Sequence, residues 1–221
     1  MTSFGLTRAP FEEKFMLVIN RMDISLSEYI LTNHNNITWR TKLKIIFKVV
    51  KAICRVHEEE YVLRDLHSGN IMYSQSKNDW CINDLKFCSS VHKPLYSIYG
   101  KLPYIAPEVI EGYNYSFKSD IYSLAMIMWE LAFEQSPMII YDHDHTLAIS
   151  IVNGLRPKLS HVIPMKLKEL ILMCWDNNPD NRPDIYDLWT RIKCIMELSF
   201  QEKNFELWNS TLKNSHSQYY Y

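Results

Sequence analysis

The segment VLRDLHSGNIMY, residues 62–73, places the acid Asp65 and the amide Asn70 in one short polar stretch between apolar residues. A positioned carboxylate accepts the proton of an attacking hydroxyl group. Carboxylate and amide oxygens are also the ligands that Mg²⁺ accepts, and a further acid, Asp84, follows in the chain. Taken alone, this spacing is equally typical of a polar loop with capping side chains. The surrounding elements must therefore decide whether these groups act together.

A long helix is predicted to begin at Thr38, a good N-cap residue, ahead of the polar segment. Apolar residues and one histidine recur at helical spacing on one face. They are Leu43, Ile46, Phe47, Val50, Ile53 and His57. Basic residues are assigned to the solvent-facing side, namely Lys42, Lys44, Lys48, Lys51 and Arg55. The helix is expected to support the polar segment from one side.

Short strands are predicted on both sides of this helix. Residues 15–19, FMLVI, have the pattern of a buried strand, and residues 4–8 pair with them through a turn at 9–13. After the polar segment, residues 71–73 and 80–84 form two further short strands. The polar turn Ser74 to Asp79 separates them, and the second ends at Asp84.

The second half of the chain is predicted to be helical. The helical segments are 118–133, 145–153, 164–174 and 184–198, and residues 199–221 form a polar tail. The resulting fold class is α+β and mostly α, with a β-hairpin ahead of a helical body. The segment Asp142-His143-Asp144-His145 contains metal-binding residue types, but a polar loop between two helices is the favoured interpretation.

Composition limits the classes of function. The net charge of -1 lacks the basic excess typical of proteins that bind nucleic acids or membrane surfaces. The apolar run 121–133 is interrupted by Ser123 and Glu130 and is too short to cross a bilayer, and the N-terminus has no signal-peptide pattern. Five cysteines without a C-x-x-C pair favour a reduced, cytoplasmic protein.

Five short motifs follow one another along the chain. They are Arg64-Asp65-Leu66 with Asn70, then Asp84-Leu85-Lys86, Ala106-Pro107-Glu108, Ser119-Asp120-Ile121-Tyr122-Ser123, and Cys174-Trp175 with Asn181-Arg182-Pro183. In this order they resemble the H-R-D-L-x-x-x-N, D-F-G and A-P-E motifs and the large-lobe helices of a protein kinase. The similarity runs from about Phe4 to Leu198 and is closest to the tyrosine-kinase-like group.

The resemblance implies a phosphotransferase that uses ATP and Mg²⁺ and modifies a hydroxyl group of a protein substrate. In that comparison Asp65 is the catalytic base, and Asn70 and Asp84 hold the metal ion. Asn20 and Met22, in a hinge at 20–22, are expected to contact the nucleotide, together with His67 and Asn70.

The resemblance also implies structural and regulatory roles. Arg64 is expected to meet a phosphorylated residue, with Tyr96, Ser97 and Tyr99 as candidate phosphosites. Glu108 and Arg182 would form a buried ion pair of the large lobe. Asp120 would hold the catalytic loop from beneath.

The chain departs from the kinase pattern first at its N-terminus. The Gly-rich loop, the strand lysine and the helix glutamate of a kinase all precede the strand that FMLVI matches, yet only 14 residues precede Phe15. Residues 1–198 are therefore interpreted as an incomplete kinase domain. It comprises a residual small-lobe hairpin at 4–19, the hinge at 20–22 and the large lobe at 23–198. The hairpin is expected to expose Phe15, Leu17 or Ile19 and to promote association.

Other departures lie near the catalytic residues. Lys86 replaces a glycine whose backbone freedom lets that segment change conformation. His67 stands where serine/threonine kinases usually have a lysine, and Lys101 where they have a threonine. One hypothesis is that Lys101 reaches Asp65 and lowers its basicity. Three functions stay open: an active protein kinase, a pseudokinase that binds a protein partner or partner kinase, and a non-functional gene fragment.

Overall fold

The computed structural model describes residues 3–8, 14–93, 97–160 and 163–200 and has the predicted α+β, mostly helical fold. The predicted turn at 9–13, Tyr96 and residues 201–221 of the tail lie outside the described residues. Seven α-helices are found in the described part of the chain. They are Leu26–Thr32 (α1), Trp39–Glu58 (α2), Pro107–Ile110 (α3), Phe117–Phe133 (α4), His145–Val152 (α5), Met165–Cys174 (α6) and Ile185–Phe200 (α7).

The N-terminal hairpin forms as predicted. Strand β1 (Ser3–Arg8) pairs with the antiparallel strand β2 (Phe15–Ile19), and Leu6 lies opposite Leu17. However, the prediction that β2 is buried is wrong, because Phe15 is 73% exposed and Leu17 is 55% exposed. Ile19 is half-buried. The alternative expectation, an apolar hairpin open to solvent, is thus confirmed for Phe15 and Leu17, since both side chains lie largely in solvent.

Helix α2 begins where the sequence predicts, because Thr38 Oγ1 accepts a hydrogen bond from the N–H of Thr41 at 3.2 Å. Its apolar face is buried and packs against α7 and α4. The assignment of Lys42 to the solvent-facing side is wrong. Its Nζ lies 2.7 Å from Glu134 Oε1 and donates to the carbonyl of Ala132 at 3.0 Å. The partner of Lys42 lies at the distant end of α4, so helical periodicity does not indicate it.

Helix α4 is the buried centre of the helical body. A capping box of Ser116 and Ser119 fixes its start, where each side chain accepts from the other residue's N–H. Met126 and Met128 are fully buried, and Trp129 is nearly so. Helices α2 and α6 pack against α4, and α7 packs against α2 and α6.

Short strands carry the polar segment. Strands β5 (Ile71–Ser74) and β6 (Asp79–Ile82) are antiparallel, and β3 (Ile24–Ser25) pairs with β5 on its other edge. Strand β4 (Tyr61–Val62) pairs with β7 (Ser89–Ser90). The sequence does not predict β3, β4, β7 or α1, because each is too short to show a clear hydrophobic period.

The Asp142–His145 segment contains a helix start. Asp144 Oδ1 accepts hydrogen bonds from the N–H groups of Thr146 at 2.9 Å and Leu147 at 3.1 Å, which caps α5. In the described ranges, no group of three or more His, Cys, Asp or Glu side chains is arranged to hold a metal ion. No helix of this part of the chain is long and apolar enough to span a membrane.

Candidate active site

The backbone of the polar segment is held by one buried carboxylate on α4. Asp120 Oδ2 accepts a hydrogen bond from the N–H of Leu63 at 2.9 Å, and Asp120 Oδ1 accepts one from the N–H of Arg64 at 3.2 Å. Arg64 has a φ of 66°, a left-handed conformation that is costly for a side chain of this size. His57 of α2 lies 2.9 Å from Asp120 Oδ2 and completes the support. Asp120 therefore holds the loop in a strained conformation.

Asp65 and Asn70 are in direct contact. The amide nitrogen of Asn70 donates to the main-chain carbonyl of Asp65 at 2.8 Å and to its carboxylate Oδ2 at 3.3 Å. Since both bonds use the nitrogen, the side-chain oxygen of Asn70 is the atom left to bind a cation. The five-residue spacing in the sequence is closed into one compact loop.

A buried polar network fixes the centre of this loop. Ser68 Oγ donates to Glu130 Oε1 at 2.9 Å, and the hydroxyl of Tyr104 donates to Glu130 Oε2 at 2.7 Å. Burial raises the pKa of Glu130, while these two hydrogen bonds act in the opposite direction. The sequence reasoning assigns no function to Ser68, Tyr104 or Glu130, although an acid inside the apolar α4 run is a signal that it has a polar partner.

Asp84 lies at the end of the β5–β6 hairpin, beside Asn70. The N–H of Asn83 donates to the main-chain carbonyl of Asn70 at 2.8 Å, which extends the hairpin register to the residue before Asp84.

Asp84 has a φ of 52°, whereas Lys86 lacks a positive φ. The backbone freedom of a glycine is therefore not used at position 86 in this conformation. Instead, Lys86 Nζ lies 3.2 Å from Asp84 Oδ2.

The electrostatics of Asp65 agree with the hypothesis about Lys101 only in the direction of its effect, because Lys101 lowers the pKa of Asp65 but burial outweighs it. Burial raises the pKa of Asp65 above its usual range, while the hydrogen bond from Asn70, Lys86 and, last in size, Lys101 lower it. No ion pair joins Lys101 to Asp65 among the described residues. Asp65 is therefore made more basic by its surroundings, because the loss of solvation outweighs the nearby cations.

His67 is a neutral part of the loop rather than a substitute for a lysine. Burial lowers its pKa to about 4, and Lys101 contributes in the same direction. Its Nδ1 accepts a hydrogen bond from the N–H of Gly69 at 3.0 Å, so the ring proton resides on Nε2. That nitrogen lies 3.6 Å from Asp65 Oδ1. At neutral pH the ring supports the turn at 68–70 without adding a charge.

Gly100 closes the site from the opposite side. It has a φ of 110°, and a Cβ at this position would lie 3.1 Å from Asp65 Oδ1. The cavity between Asp65 and the segment after Gly100 measures only about 10 Å³. Close packing in this region restricts the position of the Asp65 carboxylate.

Comparisons with known proteins identify the family of this chain. Residues 5–192 match the family described as protein tyrosine and serine/threonine kinase. The chain belongs to this protein kinase family. Proteins of the family are phosphotransferases that in general use ATP and Mg²⁺.

Two relatives come from Dictyostelium discoideum. The chain is 29% identical to dual specificity protein kinase zak2 over 188 residues, which cover 74% of this chain and 29% of the relative. It is 29% identical to stress-activated protein kinase alpha over 226 residues, which cover 92% of this chain and 34% of the relative. The chain thus spans about a third of the length of these relatives.

Two hydrogen bonds of Arg64 anchor the segment that follows Asp84. The guanidinium of Arg64 donates to the main-chain carbonyls of Ser90 and Lys93, the former at 3.3 Å. The Nε atom of Arg64 is buried without a hydrogen-bond partner. Arg64 therefore contacts the segment just ahead of the candidate phosphosites.

Two of the three candidate phosphosites are described. Ser97 is exposed, whereas Tyr99 is 39% exposed and its ring stacks on that of Phe87 at 4.5 Å. The main chain of Tyr99 is fixed by Tyr115, whose hydroxyl accepts from the Tyr99 N–H at 2.9 Å and donates to its carbonyl at 2.7 Å. Tyr96 lies outside the described residues.

Glu108 and Arg182 form a buried ion pair. The Nη1 and Nη2 atoms of Arg182 each donate to one Glu108 oxygen at 2.7 Å. Arg182 also donates to the carbonyls of Asp176 and Lys118, both at 2.9 Å. These bonds satisfy the buried guanidinium and connect α3 to the segment ahead of α7.

The residues predicted to form the hinge lie apart from the loop of Asp65 and Asn70. Asn20 and Met22 line a cavity of about 440 Å³, together with residues of α2, β6 and Leu85. Neither Asp65 nor Asn70 lines that cavity. Asn20 Oδ1 is buried without a hydrogen-bond partner, so it can accept a donor group. The structure therefore brings Asp65, His67 and Asn70 together, with Asp84 at the end of the adjoining hairpin, whereas Asn20 and Met22 line a separate cavity.

The donor set fits a magnesium ion. The amide oxygen of Asn70 and the carboxylate of Asp84 are hard oxygen donors, and Asp84 is close enough to raise the pKa of Asp65. These two residues would hold the ion, with Asp65 next to them. When bound, Mg²⁺ supplies positive charge to phosphate oxygens. The carboxylate of Asp65, held by Asn70, would accept the proton of a substrate hydroxyl.

Proposed function

We propose that this chain is a kinase domain of the tyrosine-kinase-like group that transfers the terminal phosphoryl group of ATP to hydroxyl groups of protein substrates. Asp65 is the base, Asn70 and Asp84 bind Mg²⁺, and Asn20, Met22, His67 and Asn70 contact the nucleotide. The observation that carries the proposal is the contact of Asn70 with Asp65, with Asp84 alongside. This contact supports the proposal, because phosphoryl transfer requires a base close to the metal ligands.

The proposed domain comprises residues 1–198, with the hairpin 4–19 as the remainder of the small lobe, a hinge at 20–22 and the large lobe at 23–198. The open hairpin supports this division, because Phe15 and Leu17 are exposed where a kinase would have further strands. A cytoplasmic location is part of the proposal. The described cysteines support it, since all five are free.

The regulatory part of the proposal concerns the activation segment. Phosphorylation of Tyr96, Ser97 or Tyr99 would add an anion near Arg64, whose Nε donor is unused. Such charge-assisted pairing orders loops. Tyr99 would first have to leave its stacking contact with Phe87.

A second candidate function is that of a pseudokinase or interaction module. It is favoured by the exposed hairpin and by Lys86, whose ammonium group lies at Asp84. In this case the hairpin would pair with a partner kinase or protein, and the Asp65 loop would have a structural role. A gene fragment without a function of its own is the third alternative.

The test is a comparison of the full chain with Asp65→Asn. We expect both proteins to show the same thermal stabilisation by Mg-ATP, because Asp65 is assigned to proton transfer and not to binding. Transfer of labelled phosphate to a general protein substrate should fall by about 10²- to 10⁴-fold in the variant. Binding without any transfer by the wild type would favour the pseudokinase. Failure of the wild type to bind Mg-ATP would contradict the proposed function.

A further inference from the structure

Lys86 forms an unusual contact for a residue beside a metal ligand. Its Nζ lies 3.2 Å from Asp84 Oδ2 and 4.9 Å from the centre of the Phe87 ring. The ring face attracts the ammonium group and helps to hold it at Asp84. The lysine therefore has two attractive partners on its own segment.

The charge of Lys86 also acts on the neighbouring catalytic groups. It favours the ionised form of Asp65 and disfavours protonation of His67. Asp84 acts on the same two residues in the opposite direction. A positive charge at this place therefore offsets the two carboxylates, Asp65 and Asp84, as a bound metal cation would.

We propose that Lys86 is an internal cation that pairs with Asp84 and competes with Mg²⁺ for its carboxylate. This inference rests on the proposed role of Asp84 as a metal ligand. Binding of Mg²⁺ requires Lys86 to leave Asp84, and any lysine that stays near repels the divalent ion. The site thus has a weaker affinity for Mg²⁺ than its oxygen ligands alone would give, and the chain needs a high metal concentration to bind nucleotide.

Position 86 permits a clean test. Lys86 is more than half exposed and does not have a positive φ, so neither a longer nor a shorter residue strains the backbone. Lys86→Met removes the charge and keeps most of the apolar side chain. Lys86→Arg keeps the charge, and Lys86→Gly adds backbone freedom. Lys166→Met on α6 is the matched control, because Lys166 is also exposed and does not line the cavity beside Asp65.

The experiment is a calorimetric titration of Mg²⁺ into each full-length protein in the presence of ADP. Lys86→Met and Lys86→Gly should bind Mg²⁺ about tenfold more tightly than the wild type, since a unit charge next to a divalent ion changes its affinity by about this factor. Lys86→Arg and Lys166→Met should match the wild type. An improvement in Lys86→Gly alone would assign the effect to backbone freedom and overturn the proposal.

Two further outcomes separate this inference from the proposed function. If the wild type and Lys86→Met bind Mg²⁺ equally, or if Lys86→Met binds it more weakly, Lys86 does not compete and the inference fails while the metal site stands. If neither the wild type nor Lys86→Met binds Mg²⁺ with ADP, the inference fails together with the metal site on which the proposed function depends.

Discussion

Asn70 donates its amide to Asp65 twice, at 2.8 Å to the main-chain carbonyl and at 3.3 Å to the carboxylate Oδ2. One side chain thereby closes the loop and stabilises the ionised form of the acid. The same residue has its oxygen left for a metal ion. The positions of the proposed base and of the proposed metal ligand are consequently linked.

Removal of the Asn70 amide should make Asp65 harder to ionise. The Asn70 hydrogen bond lowers the pKa of Asp65 against the effect of burial, so Asn70→Ala should raise this pKa. A base acts only when it is deprotonated, and the low-pH limit of single-turnover phosphoryl transfer should move to higher pH. Carbon NMR titration of the Asp65 carboxyl group measures the shift directly. As a control, Asn178→Ala, in a separate turn, should change neither the pKa of Asp65 nor the low-pH limit of transfer. An unchanged Asp65 pKa in Asn70→Ala would show that the Asn70 hydrogen bond does not stabilise the ionised acid.

Acid should destabilise the protein through His67. The pKa of His67 is about 4 in the folded protein, because burial lowers it from its usual 6.5. Between pH 6.5 and pH 4 the unfolded chain binds a proton that the folded chain does not, so the free energy of unfolding falls as pH is lowered through this window. The titration of His67 should lower the free energy of unfolding by about 3 kcal/mol across this window.

Denaturant unfolding at several pH values tests this expectation. In His67→Gln the decline between pH 6.5 and pH 4 should be smaller than in the wild type by this amount, whereas His92→Gln should behave as the wild type because His92 is exposed. Equal declines in the wild type and His67→Gln would show that His67 titrates normally.

Glycine at position 100 should be required both for the backbone conformation and for the space beside the Asp65 carboxylate. Alanine at Gly100 would adopt a φ of 110° and place its Cβ 3.1 Å from Asp65 Oδ1. Gly112 is a matched control, with a φ of 98° and no atom within 4 Å of the point where a Cβ would lie. Both Gly100→Ala and Gly112→Ala should lose more than about 1 kcal/mol of stability. Only Gly100→Ala should also reduce phosphoryl transfer. An activity assay at a temperature where both variants are folded measures this difference. Equal activities of the two variants would argue against a tight contact with Asp65.

Much of the fold is predictable because its long elements have clear periods. The predicted start of α2 and the bounds predicted for α4 and α7 lie within one or two residues of those observed. The short elements α1, β3, β4 and β7 escape prediction, since their structure depends on packing against distant residues rather than on a local pattern. Exposure of β2 also depends on tertiary structure, because an apolar strand has the same sequence whether or not another layer covers it.

The site is predictable only in its residue types. Resemblance indicates Asp65, Asn70 and Asp84, but not the ionic contact of Lys86 with Asp84 or the neutral state of His67. The partners of Asp120 and Glu130 lie 57 and 62 residues away along the chain, at Leu63 and Ser68. Contacts at such separations have no periodic signal in a single sequence.

Loss of one member of the Glu108–Arg182 pair should strongly destabilise the fold. Arg182→Met leaves a buried carboxylate without its cation, which costs about 3–5 kcal/mol. The double variant Arg182→Met/Glu108→Leu should be more stable than Arg182→Met, because no charge then stays buried. Arg191→Met, in an exposed pair with Asp187, should change stability by less than about 1 kcal/mol. Thermal and urea unfolding measure all three, and a double variant less stable than Arg182→Met would show that the lost carbonyl contacts dominate.

The open hairpin should cause the chain to associate. Leu6 and Leu17 lie opposite each other on β1 and β2, at 70% and 55% exposure, and an apolar two-stranded sheet with free edges favours pairing with another chain. Sedimentation velocity should therefore detect concentration-dependent dimers or larger species of the wild type. Leu6→Thr/Leu17→Thr keeps strand propensity and removes apolar surface, so it should shift the chain toward monomer. Leu31→Thr removes a leucine of 75% exposure at the end of α1 and should leave association unchanged. A wild type that is monomeric at high concentration would exclude the hairpin as an association surface.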